Sequence, residues 1–124
     1  MLFRSVLVVD DEALIRWSIV EKLASHGYVA TEAVDAASAL TALGEEEKPD
    51  VIFLDYRLPD SKDLTLLKKI RQIAPGAAVI MMTAFGTPEM FKEAIELGAF
   101  RVLTKPFDVL NLPELADSAR SARH

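Results

Sequence analysis

The chain has no cysteine. That excludes disulfide staples and thiolate metal sites, and it fits a reducing cytoplasm, which is the expected location. Long apolar runs are missing too: none reaches the roughly 18 residues that cross a bilayer, so no membrane partner is expected. The opening Met1-Leu-Phe-Arg-Ser5 leads straight into a strand-like run and lacks the build of a signal peptide. Basic charge is in deficit, with 14 Lys and Arg against 19 Asp and Glu and a net charge of -5. Broad phosphate-backbone binding is therefore not expected, nor is direct nucleic-acid contact. No repeat, linker or low-complexity segment interrupts the 124 residues, which suit one domain spanning 1–124.

What is present is apolar and patterned. Hydrophobic residues make up 51% of the chain, enough for one sizeable core. Val6–Val9, Val51–Leu54 and Ala77–Met82 are short uninterrupted apolar runs. Such runs mark strands buried on both faces. Tyr28–Ala33 alternates more and suits an edge strand, and Arg101–Thr104 is a short final strand.

Helical spacing fills the gaps. Glu12–His26 places Ala13, Ile15, Trp17, Val20, Leu23 and Ala24 at mixed three- and four-residue intervals, with Gly27 as a stop. Asp35 caps a second helix to about Leu43. Leu64, Leu67, Ile70, Ile73 and Ala74 form a third stripe, ended by Pro75-Gly76. Thr87 and Pro88 suit the N-cap and first position of a fourth helix to Leu97. Asn111 with Glu114 predicts a capping box for a last helix to about Ala122. Glu45-Glu-Glu47-Lys48 reads as a solvated loop. Five strand–helix alternations predict a doubly wound α/β fold around a parallel sheet.

In such a sheet the strand carboxyl ends share one edge, where ligands bind. Asp10 and Asp11 follow the first run, Asp55 the third and Thr83 the fourth; Lys105, before Pro106, follows the last. Three carboxylates, a hydroxyl and an ammonium would converge there. Adjacent carboxylates stay ionised together only with a cation nearby. Mg²⁺ takes oxygen ligands and keeps several waters, so few carboxylates suffice. Asp55 is then a candidate nucleophile for an acyl phosphate, with Lys105 and Thr83 facing the phosphoryl oxygens.

Val6-Leu-Val-Val-Asp-Asp-Glu12, Pro49-Asp-Val-Ile-Phe-Leu-Asp55, Arg57-Leu-Pro-Asp60, Met82-Thr-Ala84, Leu97-Gly-Ala99 and Leu103-Thr-Lys-Pro-Phe107 together resemble a response-regulator receiver domain, the CheY-like family of two-component signalling. The resemblance covers essentially the whole chain. It implies the flavodoxin-like (βα)5 fold with strand order 2-1-3-4-5. It implies that Asp55 accepts phosphate from the phosphohistidine of a sensor histidine kinase or phosphotransfer protein. Asp10, Asp11, Asp55 and the Arg57 backbone carbonyl would hold Mg²⁺, for which Mn²⁺ can substitute. Thr83 and Lys105 would bind the phosphoryl group, and the Lys105–Pro106 peptide would be cis. Output would run through the face of the fourth helix, fifth strand and fifth helix, which can also support a homodimer. Segments 57–60, 83–87 and 103–108 are most similar to the nitrogen-regulator (sigma-54 activator) subgroup, which implies a longer protein that activates transcription.

Three positions depart from the family pattern. Val102 stands where an aromatic switch residue is usual; Phe100, two residues earlier, is expected on the same face, and Phe91, Phe100 and Val102 are the candidate sensors. Asp63 replaces a usual Gly and is expected to start or cap the third helix. The last helix is expected to begin late, after Asn111-Leu-Pro113. Two rivals fit less well. Aspartate-nucleophile phosphohydrolases carry a second Asp where Arg57 stands. A flavin phosphate site wants a Ser/Thr/Gly-rich first loop, which Asp10-Asp11-Glu12 would turn into a repulsive one. A degenerate receiver that binds protein without phosphate is the remaining alternative.

Overall fold

The computed structural model describes residues 4–122. Strands and helices alternate as β1 (Arg4–Val9), α1 (Ala13–Ala24), β2 (Tyr28–Ala33), α2 (Ala36–Leu43), β3 (Val51–Asp55), α3 (Thr65–Ile73), β4 (Ala78–Thr83), α4 (Pro88–Glu96), β5 (Ala99–Thr104) and α5 (Leu112–Ala122). All strands pair parallel, in the order β2-β1-β3-β4-β5.

Alternation within the strands divides the core in two. Leu7, Val9, Ile52, Leu54, Val79 and Met81 face α2, α3 and α4. Val6, Val8, Phe53, Ile80 and Met82 face α1 and α5. The central β3 and β4 are buried along their whole length, which is why their sequences are unbroken apolar runs. Burial of each large side chain contributes about 1.5–3 kcal/mol.

The helices correct the sequence reading in places. On α1 the buried residues are Ile19 and Leu23, with Ile15 and Val20 partly buried. Trp17 is 59% exposed, and Ala13 and Ala24 are also on the solvent side. Residues 15, 19 and 23 recur every four positions and form the true stripe; Trp17 lies nearly opposite it. On α3, Ile73 is likewise outside, while Leu66, Leu67 and Ile70 are buried.

The expected capping box at Asn111 is replaced. Asn111 ends a 3-10 turn, Val109–Asn111, whose start is capped by the Asp108 carboxylate accepting from Leu110 N–H at 2.9 Å. That turn feeds straight into α5, so the first α5 turn needs no cap of its own. Asp63 behaves as expected: its carboxylate accepts from Thr65 N–H at 2.8 Å, and no non-glycine residue among those described has positive φ.

A bulge changes one further expectation. Val79 and Ile80 are neighbours on β4, yet their partners on β5 are Ala99 and Arg101. Phe100 is the extra residue, and the parity of β5 flips there. Phe100 consequently packs with the α1/α5 layer, whereas Val102 packs with the α2–α4 layer. The two do not share a face. Gly98, just before β5, has φ +106, a conformation suited to glycine, and the Arg71 side chain lies across it.

Candidate functional site

The site lies at the carboxyl edge of the sheet. The ladder carries each strand's last groups into position there. Asp10 N–H continues the β1–β2 pairing by donating to Ala33 C=O at 3.1 Å, and Tyr56 N–H continues β3–β4 by donating to Met82 C=O at 2.8 Å. Lys105 N–H donates to Thr83 C=O at 2.7 Å. Asp55 and Thr83 are the terminal residues of β3 and β4. Both are buried, as is Asp10, which is 0% exposed.

Lys105 joins the strand ends. Its ammonium donates to Asp10 Oδ2 at 2.8 Å and to Asp55 Oδ2 at 3.2 Å, with Glu12 Oε1 at 3.5 Å. The following Lys105–Pro106 peptide is cis, as expected. Carboxylate oxygens of Asp10, Asp11 and Asp55 lie within 4.8 Å of one another, with Asp11 exposed and the other two buried. The three clustered carboxylates outnumber the one ammonium that pairs with two of them, and Glu12 adds a fourth acidic group at the rim, so the site carries excess negative charge. An all-oxygen site with excess negative charge suits a hard dication such as Mg²⁺.

The electrostatics carry the mark of that excess. Burial, reinforced by the Asp10 charge, pushes the Asp55 carboxyl up to about 6; Lys105 and the Arg57 N–H pull in the opposite direction without cancelling it. Burial alone would lower the Lys105 pKa, but the Asp10 hydrogen bond and the charges of Asp55 and Asp10 outweigh it and the net shift is upward. A bound dication would offset both the burial and the Asp10 charge and favour the ionised form of Asp55.

Thr83 reaches the same edge but is turned toward its own loop. Its hydroxyl donates to Phe85 C=O at 3.0 Å and accepts from Phe85 N–H at 3.2 Å. Arg57 is exposed on the loop after β3, with its N–H toward Asp55 Oδ1 at 3.4 Å. Phe91 and Val102 are partly buried against the α2–α4 core, and the edge of the Phe91 ring fills the space beside Gly86 in the β4–α4 loop that a Cβ there would need. The structure thus gathers Asp10, Asp11, Asp55 and Lys105, places Thr83 beside them, and leaves Phe100 on the other side of the sheet.

Three residues escaped the sequence reading. Arg16 donates to the Asp10 backbone carbonyl at 2.8 Å and is itself held by Glu32 on β2 at 3.0 Å. Glu12 adds a carboxylate beside Lys105. Asp60 anchors the loop after β3 to α2. Glu12, next to the acidic pair, was the one with a sequence signal. Asp60 acts across a long sequence separation and Arg16 on a backbone carbonyl, and no periodicity encodes either contact.

A family model for the response regulator receiver domain matches residues 6–117. The chain belongs to the response regulator receiver family. This receiver is 40% identical over 116 residues to the DNA-binding transcriptional regulator NtrC of Escherichia coli K12, a match covering 94% of the chain and 24% of that protein. The chain therefore spans about a quarter of that relative's length. It is 35% identical over 109 residues to sporulation initiation phosphotransferase F of Bacillus subtilis, covering 88% of this chain and 87% of that one. Among solved structures, a CheY-like receiver domain protein of Methanospirillum hungatei superposes with a TM-score of 0.90 at 28% identity, covering 97% of this chain and 95% of the other. The NtrX receiver domain of Brucella abortus does so with 0.84 at 35% identity, covering 94% and 98%. Receivers are signalling domains that bind a divalent metal at an acidic cluster of this kind and interact with histidine kinases or phosphotransfer proteins. Among the described residues no helix is long and apolar enough to cross a membrane.

Proposed function

We propose that residues 1–124 form the phosphoacceptor domain of a two-component regulator and that Asp55 accepts the phosphoryl group of a partner's phosphohistidine. The observation that carries this reading is the convergence on Asp55: a buried carboxylate, raised to about 6, shares Lys105 with Asp10 and meets Asp11 within ligand distance. In the transfer the phosphorus–nitrogen bond breaks, a phosphorus–oxygen bond to Asp55 forms, and the imidazole leaves. Asp10, Asp11, Asp55 and the Arg57 carbonyl would hold Mg²⁺ or Mn²⁺, which supplies charge neutralisation at the phosphoryl oxygens. Lys105 swings from its carboxylate bonds to the same oxygens.

Phosphorylation replaces one negative charge with about two and adds acceptor oxygens. The Thr83 hydroxyl is drawn to them and gives up its bonds to Phe85. The β4–α4 loop then shifts against Phe91, and Val102 transmits the shift through aliphatic packing to the α4–β5–α5 face. That face changes population between two states. Similarity to NtrC supports a transcriptional output through domains outside this sequence, with homodimerisation through the same face and no DNA contact by the receiver itself. The chain turns over no substrate beyond its own phosphorylation and slow dephosphorylation.

The test is incubation with acetyl phosphate or beryllofluoride plus Mg²⁺. Intact mass should show one added phosphoryl group from acetyl phosphate, absent in Asp55→Asn, and size-exclusion chromatography should report any dimer. A wild-type chain left unmodified by every small phosphodonor would end the proposal, as would an equal gain by Asp55→Asn.

A further inference from the structure

We propose that Asp60 is a positioning residue for metal binding: its carboxylate ties the turn that follows Arg57 to the N-terminus of α2. The inference rests on the metal reading above, in which the Arg57 carbonyl is a ligand.

Helix α2 begins Ala36-Ala37-Ser38 and has no acidic residue in its own first turn. Its N-cap, Asp35, accepts from one backbone N–H of the helix, that of Ser38, at 2.8 Å. The first two helical N–H groups therefore lack a local partner. Asp60 supplies both: Ala36 N–H donates to Oδ1 at 2.8 Å and Ala37 N–H to Oδ2 at 3.1 Å. These are charge-assisted bonds at the positive end of the helix.

The other end of the tie is the metal loop. Tyr56 is held in the β3–β4 ladder through Met82. Leu58 is 2% exposed, and its backbone exchanges hydrogen bonds with Ser61 at 2.8 and 3.2 Å. Arg57 is thus suspended between a ladder position and a tight turn, Leu58-Pro59-Asp60-Ser61. Pro59 limits the turn's own freedom. Asp60 then fixes the turn to an element that is otherwise separate from the site. A neutral carbonyl is a weak ligand whose contribution depends on being held in place before the ion arrives. With the tie cut, part of the binding free energy would go into ordering the turn.

Asp35 separates this role from plain helix capping. It caps the same helix but has no bond to the β3–α3 loop. The experiment is calorimetric titration of the metal-free chain with Mg²⁺ alone, for wild type, Asp60→Ala, Asp60→Asn and Asp35→Ala. Asp60→Ala should raise the Mg²⁺ Kd about tenfold, in line with losses of groups that orient ligands. Asp60→Asn keeps one acceptor oxygen and should fall between. Asp35→Ala should bind as wild type although its helix is weakened. In the metal-free state the Leu58 and Ser61 amides should exchange faster in Asp60→Ala and not in Asp35→Ala. Wild-type Mg²⁺ affinity in Asp60→Ala overturns this inference alone, as does an equal loss in Asp35→Ala. A wild-type chain that binds no Mg²⁺ overturns the metal reading and this inference with it.

Discussion

Replacing Asp55 with Asn should stabilise the metal-free protein at neutral pH, although it removes the group on which the proposed function turns. Asp55 is 6% exposed, and its carboxyl is shifted from 3.8 to about 6, chiefly by burial and then by Asp10. The native state therefore holds a proton on this group that the unfolded chain has already released. Stability falls as pH rises between 3.8 and about 6. At 1.36 kcal/mol per pKa unit the full effect is about 3 kcal/mol above the window. Asn approximates the protonated form and does not ionise. The stability of Asp55→Asn relative to wild type should therefore grow by about 2 kcal/mol between pH 4 and pH 7.5, since part of the effect is already present at the lower value. Lys105 keeps its 2.8 Å bond to Asp10 in the variant. Urea unfolding in a chelator, followed by circular dichroism at several pH values, measures the difference. Mg²⁺ at about 1,000 times its Kd should reverse the order, since it then stabilises the form that binds it by about 4.1 kcal/mol. A pH-independent difference, or a relative gain by wild type as pH rises in chelator, would refute the electrostatic account of the cluster.

Lys105→Met leaves Asp10 and Asp55 buried without their ammonium. It should cost about 3 kcal/mol in chelator, with much of the loss recovered on adding Mg²⁺, as read by urea midpoints. Gly98→Ala forces a Cβ at φ +106 to within 2.7 Å of Arg71 Nε. A loss of about 1–3 kcal/mol and a lower thermal midpoint are expected. Trp17→Ala should change stability by no more than about 0.5 kcal/mol, because the ring is 59% exposed and outside the core. A loss above about 2 kcal/mol there would show that the α1 stripe of Ile15, Ile19 and Leu23 is misassigned.

Much of this receiver was legible in its sequence because two periodicities are local. Unbroken apolar runs at 51–54 and 77–82 marked the doubly buried strands, and chain order with right-handed crossovers then placed their ends on one edge. Asp10, Asp55, Thr83 and Lys105 follow from that rule alone. Helix facing was less legible. A stripe of mixed three- and four-residue steps admits more than one phase, and only packing against the sheet decided for Ile19 over Trp17.

What the chain alone determined is the set of elements, their order, and the chemistry waiting at each strand end, since these depend on residues next to one another. Tertiary structure decided the rest. It set the bulge that sends Phe100 and Val102 to opposite layers, the turn of the Thr83 hydroxyl toward Phe85, and the ties from Arg16 to Asp10 and from Asp60 to α2. The bulge and the Asp60 tie join groups far apart in the chain, and the Arg16 tie and the Thr83 turn are choices among rotamers. Their geometry exists only once the strands are in register, so no local pattern of side chains can record it.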